Sequence, residues 1–394
     1  MPELKEAVIV SAKRSPMGRA NKGNYINMRI DDLGAAVVKA AVDAVPGLDP
    51  KEIEDVIVGC AMPEGEQGMN VARNISLLAG IPITAAAVTV NRFCASSLQT
   101  IMDAARAIMV GDGEVFVAAG IETMSHVPMG GFNPSLNPLL VPGGSPKSDQ
   151  YPDAYIGMGF TAENVVAKYG IKREDMDAFA AKSHEKALKA IAENKFKNEI
   201  VPVNVPQLDG STKLIDTDEG PRAGTTVEKL GTLKPAFKKD GSVTAGNSSP
   251  LTDGAAAVVV MSAEKAKALG LKPLARIHAM AVAGCAPELM GMGPVPAVTK
   301  VLKRAGMSIG DIDIVELNEA FASQSLAVVQ ELGIDQNKLN PHGGAIALGH
   351  PLGCSGARIM ATLINDLITY DKKWGLETMC IGGGQGAACI IERL

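Results

Sequence analysis

Apolar residues recur along this chain in two alternating patterns, one with a helical period of about 3.6 residues and one in short strand-like runs. Residues 31–60 have the pattern of an amphipathic helix, a short acidic linker and a strand. Residues 294–318 repeat that order, with Ile53 opposite Ile312. The pattern therefore predicts a structural unit that is used twice.

A second pair of segments supports the duplication. Residues 96–120 predict a helix, a turn and a strand, and residues 355–384 predict the same elements, with Ser97 opposite Ser355. All amphipathic helices look alike, so chance similarity is the alternative, but a register held over two consecutive elements favours duplication. Alternating strands and helices indicate an α/β fold with a mostly parallel sheet covered on its faces, and two copies predict a layered architecture.

A long insertion interrupts the first copy at residues 121–242. It opens with a stretch rich in Pro, Gly and Asn that cannot form a regular helix, and continues with a helical block of interleaved Glu and Lys. An insertion of this size at the end of a strand usually serves ligand binding. We expect three units: residues 1–120 with 243–273, the insertion 121–242, and residues 274–394.

Composition narrows the function. The 394 residues are 46% hydrophobic and carry a net charge of −5, which gives no general electrostatic reason to bind nucleic acid. No apolar run approaches the ~20 residues of a membrane span, and the N-terminus is unlike a secretory signal. The six cysteines lack CxxC spacing, so no metal site or disulfide framework is indicated. We expect a cytoplasmic protein with reduced thiols.

Cys94 stands where a strand-like run meets a helix pattern, with Ser96 and Ser97 as candidate caps. A sulfur at this junction lies near the positive end of a helix and near free backbone N–H groups, which favour a thiolate and an oxyanion. Position alone leaves a buried structural cysteine equally open.

His350 lies in the glycine-rich run "NPHGGAIALGHPLGCSGAR", where backbone can approach a ligand closely. It is the one histidine of five placed opposite Cys94 in the repeat, so an imidazole and a thiol could meet there. The alternative is a tight structural loop with a capping histidine. His342 is interpreted as structural, and the other three histidines have no comparable context.

Cys380 follows the run "GLETM" and precedes "GGGQG", which places it at the tip of a strand turn outside the core. A second thiol there could act as a general acid and base. The last segment, "AACIIERL", predicts a closing antiparallel strand.

Asn318 and Glu319 end the strand of the second copy, in "VELNEAFA". An amide at a strand end can hold a water or donate to an oxyanion, and Glu319 could orient the site. A helix N-cap by Asn318 is the alternative, and spacing does not separate the two.

These motifs together resemble the thiolase family. "VNRFCASSLQ", "AAGIETMSHVPMGG", "GNSSPLTDGAAA", "ELNEAFA", "GGAIALGHPLGCSGAR" and "MCIGGGQGAA" occur in family order, and "SAKRSPMGR" matches the family's opening strand and loop. The resemblance covers nearly the whole chain. It implies the thiolase fold, in which duplicated βαβαβαββ halves form an αβαβα core with an inserted loop domain.

The resemblance also implies roles. Cys94 would carry the acyl group, His350 would be its base, and Cys380 would be the acid and base for the enolate and for coenzyme A (CoA). Asn318 would hold a water that, with His350, stabilises the enolate oxygen. The backbone N–H groups of Cys94 and Gly382 would form the other oxyanion hole.

By the same resemblance the insertion would bind CoA, a co-substrate and not a permanent cofactor. By this resemblance, the residues at positions that contact CoA would be Met158, Arg222, Ser249, Met290, Ala320 and Phe321. The family's enzymes are dimers or tetramers, so we expect a homodimer or homotetramer acting on acyl-CoA and CoA, with other β-oxidation enzymes as candidate partners.

The type of thiolase is less clearly marked. "NRFCASS" and "SHVPMGG" resemble the degradative 3-ketoacyl-CoA enzymes of fatty-acid β-oxidation, whereas "CIGGGQG" is shared with the biosynthetic acetoacetyl-CoA type. We favour the degradative type. Two competing hypotheses are a non-catalytic acyl-CoA or lipid binder and a decarboxylating ketoacyl synthase. The binder would be expected to lose Cys94 or His350. The synthase would be expected to have a Cys-His-His site, which this chain lacks.

Overall fold

Strands and helices alternate along the chain in the order that the apolar pattern predicts. The structure is a computed structural model that describes residues 4–394. Before the insertion the elements are β1 (Ala7–Arg14), β2 (Gly18–Arg19), α1 (Ile30–Asp43), β3 (Asp55–Gly59), α2 (Val71–Leu78), β4 (Ala86–Val90), α3 (Ser96–Val110) and β5 (Val115–Glu122).

Helices make up most of the regular structure between β5 and the next long strand. The elements there are α4 (Met158–Tyr169), α5 (Arg173–Ala192), β6 (Val203–Pro206), β7 (Thr212–Ile215) and α6 (Val227–Gly231). The Pro- and Gly-rich stretch before α4 contains only short 3₁₀ turns, as predicted.

The remaining elements complete the first copy and form the second. They are β8 (Thr252–Ser262), α7 (Ala263–Ala268), β9 (Ala275–Gly284), α8 (Pro294–Ala305), β10 (Ile314–Leu317), α9 (Ala322–Leu332), α10 (Ala345–Leu348), α11 (Ser355–Thr369), β11 (Trp374–Ile381) and β12 (Gln385–Arg393). None of the helices within residues 4–394 combines the length and the apolar character needed to cross a membrane.

Each copy has its own run of strands in the order β4-β3-β5-β8-β1 and β10-β11-β12-β9. Two residue pairs between β1 and β9, at Val8 and Ile9, join the runs. The expectation of a mostly parallel sheet is wrong, because among the strand pairs of the described residues only β3–β4, β3–β5 and β10–β11 are parallel. β12 is antiparallel because it returns from β11 through a short turn, which leaves no room for a crossover helix.

Three apolar clusters define five layers. α3 and α11 lie in the middle and pack on strands of both copies. α1 and α2 cover the outer face of the first copy, and α8 and α9 cover that of the second. The central helices approach closely at Gly356, where a Cβ would lie 2.1 Å from Leu98 N. The α/β class and the layered architecture expected from the sequence are therefore confirmed.

The two central helices also fix the register of the duplication. α3 and α11 are both 15 residues long, and each follows a 3₁₀ turn, Phe93–Ala95 or Leu352–Cys354. Ser355 therefore corresponds to Ser96, the first residue of α3, and not to Ser97 as expected. In the same register Gly353, and not His350, stands opposite Cys94.

Buried ion pairs attach the insertion to the first copy, and buried hydrogen bonds attach it to the second. The guanidinium of Arg14, in β1, donates to Asp218 (2.7 and 2.9 Å) and to Glu199 (2.5 Å). Glu199 also accepts from Thr362 Oγ1 (3.0 Å) and Asn365 Nδ2 (3.0 Å) of α11. Arg14 and Glu199 are buried, so these contacts fix the insertion on the core.

Candidate active site

The turn that carries Cys94 has a strained backbone. Phe93 has φ of 44°, a left-handed conformation that is unfavourable for a bulky residue. The hydroxyl of Ser96 closes the turn by accepting from Arg92 N (2.9 Å) and donating to Phe93 O (2.7 Å). Ser96 and Ser97 are not caps, because α3 already begins at Ser96 and neither hydroxyl bonds to its first turn as an N-cap does.

Cys94 is 7% exposed and packs with Ala61, Met124 and Leu352. Burial raises the pKa of its thiol to about 11, against the N–H groups of Gly382 and of Cys94 itself, which lower it. The helix end was expected to favour a thiolate, but desolvation is the larger effect here. The resting sulfur is therefore a protonated thiol with two backbone N–H groups directed at it.

His350 offers the Nε2 atom of a neutral ring. Its Nδ1 lies 2.6 Å from Ser355 Oγ, which donates its own proton to Pro351 O (2.9 Å). Nδ1 is therefore the donor, which leaves the lone pair on Nε2. Burial, with the charge of Arg358, lowers the pKa of His350 to about 3. No hydrogen bond joins Cys94 and His350 within residues 4–394, although the turn that carries Cys94 packs against the turn Leu352–Cys354, which follows just after His350.

Asn318 follows β10 and faces His350. Its Nδ2 lies 3.3 Å from His350 Nε2, and its backbone N–H donates to Thr378 O (3.0 Å). Its Oδ1 is buried without a hydrogen-bond partner among residues 4–394. The N-cap alternative is wrong, because α9 begins at Ala322 with Phe321 at the cap. Asn318 therefore presents a free acceptor where a ligand or water could donate.

Cys380 is fully buried, so its predicted place outside the core is wrong. The pairing of β11 with β12 continues past it to Ile381, and the segment around Met290 covers it. Burial, and then the neighbouring Cys94, raise the pKa of the Cys380 thiol. The structure therefore places a second neutral thiol near the first.

Comparisons with known proteins bear on this arrangement. Residues 7–264 match the model "Thiolase, N-terminal domain", and residues 271–393 match "Thiolase, C-terminal domain". The "3-ketoacyl-CoA thiolase" of Bacillus subtilis is 51% identical over 99% of this chain and 100% of its own length. The protein of the same name from Marinobacter nauticus is 52% identical over 99% of both.

The chain belongs to the thiolase family.

Solved structures agree with this assignment. The Bacillus anthracis acetyl-CoA acetyltransferase superposes with a TM-score of 0.91 at 42% identity and covers 100% of both chains. Human mitochondrial 3-ketoacyl-CoA thiolase superposes with a TM-score of 0.88 at 39% identity over 99% of both. The chain is thus an acyltransferase of the thiolase type.

Most of the residues expected to contact CoA lie together in this thiolase. Met158, Met290, Ala320 and Phe321 share one apolar cluster with Cys380. Ser249 adjoins that cluster, because its N–H donates to Ala320 O (3.0 Å).

Arg222 has different neighbours. Its backbone N–H donates to His184 Nδ1 (3.2 Å), and its guanidinium lies 3.3 Å from His184 Nε2. Burial lowers the pKa of His184 to about 4, and the charges of Arg222 and Arg19 add to this effect. The surroundings of Arg222 are therefore cationic, with a neutral imidazole at their centre.

Sequence reasoning missed Glu122, the last residue of β5. This buried carboxylate accepts from the N–H groups of Ala61 (2.8 Å), Met62 (3.2 Å) and Gly353 (2.8 Å). It thereby connects the loop beside Cys94 to the turn of the second copy. The sequence signal for Glu122 was a carboxylate at the end of the otherwise apolar strand "VFVAAGIE".

Proposed function

We propose that the chain cleaves 3-ketoacyl-CoA with CoA, giving acetyl-CoA and a shortened acyl-CoA, and that the reaction is reversible. The observation that carries the proposal is the packing of the turn that holds Cys94 against β11, the strand that holds Cys380, and against the turn Leu352–Cys354 just after His350. The relatives named 3-ketoacyl-CoA thiolases support the substrate class.

The first half-reaction breaks a carbon–carbon bond. Cys94 passes its proton to His350 Nε2 as the sulfur attacks the keto carbon C3, and the N–H groups of Cys94 and Gly382 stabilise the oxygen. The C2–C3 electrons move into an enolate of acetyl-CoA, whose oxygen is stabilised by protonated His350 and by a water held at Asn318. Cys380 then protonates C2 and becomes a thiolate.

The second half-reaction releases the acyl group. The Cys380 thiolate takes the proton of incoming CoA, and the CoA sulfur attacks the acyl carbon on Cys94. The Cys94 sulfur leaves and recovers its proton from His350. All protons balance, and both thiols end as they began.

The cluster of Met158, Met290, Ala320 and Phe321 supports an apolar wall for the CoA arm, with Ser249 at its edge. The positive charges of Arg222, in the insertion, and of Arg19, in β2, support a place for the phosphates. The insertion would act as a loop domain of residues 121–242. The remaining residues would form the two thiolase halves, 1–120 with 243–273 and 274–394.

We also propose that the protein is a homodimer or homotetramer of the cytoplasm. β4 supports the assembly: it pairs only with β3 among the described residues, and Val88 on it is 43% exposed. Six cysteines without a disulfide within residues 4–394 support a reducing compartment.

A turnover series tests the function. The enzyme is given CoA with 3-ketoacyl-CoA substrates of increasing chain length from acetoacetyl-CoA, and the loss of substrate is followed. Activity across the series supports the degradative reading. Activity confined to acetoacetyl-CoA favours a biosynthetic acetoacetyl-CoA thiolase, which the similarity to an acetyl-CoA acetyltransferase supports. No turnover at any length, or an acyl adduct mapped by mass spectrometry to a cysteine other than Cys94, contradicts the proposal.

A further inference from the structure

No strand within residues 4–394 pairs with the outer edge of β10, and the side chain of Asn340 takes that place. Val315 forms a single parallel bridge with Leu339, and Asn340 N donates to Val315 O (2.9 Å). Beyond the bridge, Asn340 Oδ1 accepts from Leu317 N (2.9 Å) and Nδ2 donates to Leu317 O (3.0 Å). One amide therefore satisfies both backbone groups of the residue before Asn318.

Asn340 also bonds to the residue after Asn318. Its Nδ2 donates to Glu319 Oε1 (2.8 Å), so it contacts both neighbours of Asn318 in the chain. Glu319 is held in turn by Ser183 of α5, whose hydroxyl donates to Oε2 (2.6 Å). Ile346 N donates to the same oxygen (3.2 Å). The insertion thus contributes a hydroxyl to the support of the strand end.

The backbone of Asn340 suits this role. Its φ is 42°, a left-handed conformation that asparagine adopts more readily than most residues, and it is 1% exposed. Both the conformation and the paired donor and acceptor of its side chain match the contacts it makes.

We propose that Asn340 is a positioning residue for Asn318, and that Glu319 and Ser183 hold Asn340 in place. This inference rests on the proposed role of Asn318 at the enolate oxygen. Asn318 lies between two residues that the Asn340 amide bonds, so its direction toward His350 depends on that amide. Loss of the amide lets the Asn318 side chain shift, and small shifts of a group that stabilises a transition state are costly.

The two half-reactions distinguish positioning from a structural role. Only carbon–carbon cleavage forms an enolate and needs Asn318. Exchange of labelled CoA into acetyl-CoA uses Cys94, His350 and the other oxyanion hole, and forms no enolate. A general loosening of the fold slows both reactions, whereas a shift of Asn318 slows cleavage alone.

The test compares Asn340→Gly with Asn194→Gly. Glycine keeps the left-handed backbone at both sites, and Asn194 (φ 53°) is exposed, so the second variant controls for the substitution itself. For Asn340→Gly we expect the kcat of acetoacetyl-CoA thiolysis to fall by about tenfold or more, with KM and the exchange rate within about twofold of the parent. Asn194→Gly is expected to change neither.

Asn318→Ala provides the reference, and it is expected to show the same split more strongly. If it does and Asn340→Gly slows both reactions equally, or neither, the positioning role is overturned while the proposed function stands. If Asn318→Ala itself shows no split, the role of Asn318 fails and this inference fails with it.

Ser183→Ala is a second test of the positioning role, for the case that Asn340→Gly does not fold. It removes one hydroxyl from the support of Glu319, and we expect thiolysis to fall by about two- to fivefold with exchange unchanged. Equal loss in both reactions, or no loss in thiolysis, contradicts the proposal.

Discussion

The two 3₁₀ turns before the central helices occupy equivalent positions in the two copies but have different roles. In the first copy the middle residue is Cys94, and in the second it is Gly353. A Cβ on Gly353 would lie 2.6 Å from both Ile121 O and Cys60 Cα, so that turn is packed directly onto the first copy. Duplication therefore allowed one turn to present a side chain and the other to hold the two copies together.

The largest expected effect follows from removing the side chain of the first turn. Cys94→Ala is expected to lower acyl transfer by a factor on the order of 10⁴ or more, because in the proposed reaction Cys94 alone carries the acyl chain. The thermal unfolding midpoint is expected to stay within a few degrees of the parent. Acetoacetyl-CoA thiolysis and calorimetry measure the two, and substantial residual turnover would show that Cys94 is not the nucleophile.

The complementary change adds a side chain to the second turn. Gly353→Ala is expected to lower the free energy of unfolding by about 3 kcal/mol, because its methyl group meets backbone atoms that cannot move aside. Gly231→Ala is the control, since a Cβ there has no neighbour within 4 Å. Chemical denaturation of both variants measures the difference. Equal stability would mean that the second turn is not packed as described.

The smallest effect concerns the ionisation of the cysteine thiols in the two turns. Burial raises the pKa of Cys94 to about 11 and that of Cys354, in the second turn, to about 12. Both are neutral below these values, so the rate of Cys94 alkylation by iodoacetamide should rise about tenfold per pH unit between about pH 6 and pH 9. Cys354 is fully buried and should remain unmodified. A rate for Cys94 that is flat over this range would instead indicate a preformed thiolate–imidazolium pair.

The elements with local signals could be predicted from sequence. The apolar pattern of residues 86–110 predicts the strand, turn and helix around Cys94. A helical period of apolar residues likewise predicts α11. The burial of Cys380 could not be predicted from sequence, because it depends on the segment around Met290, which lies far away in the chain.

Hydrogen bonds between distant residues were equally out of reach. The resemblance implies His350 as a base, but the tautomer with its lone pair on Nε2 is set by Ser355, and its neutral state is set by burial. Asn340 escaped notice because nothing in "KLNPHGG" indicates that its amide extends a sheet. Its partners, Leu317 and Glu319, come from another strand end.

The ion pairs of Arg14 bear on how substrates enter and leave. Separating a buried charge from its partner costs about 3–5 kcal/mol, and here one guanidinium holds two carboxylates of the insertion. Moving the insertion away from the core at Arg14 would meet this cost in every catalytic cycle. With CoA as the proposed co-substrate, we expect its passage to rely on the mostly exposed residues 128–139, where Gly130 N donates to Met62 Sδ (3.3 Å) beside the Cys94 cluster.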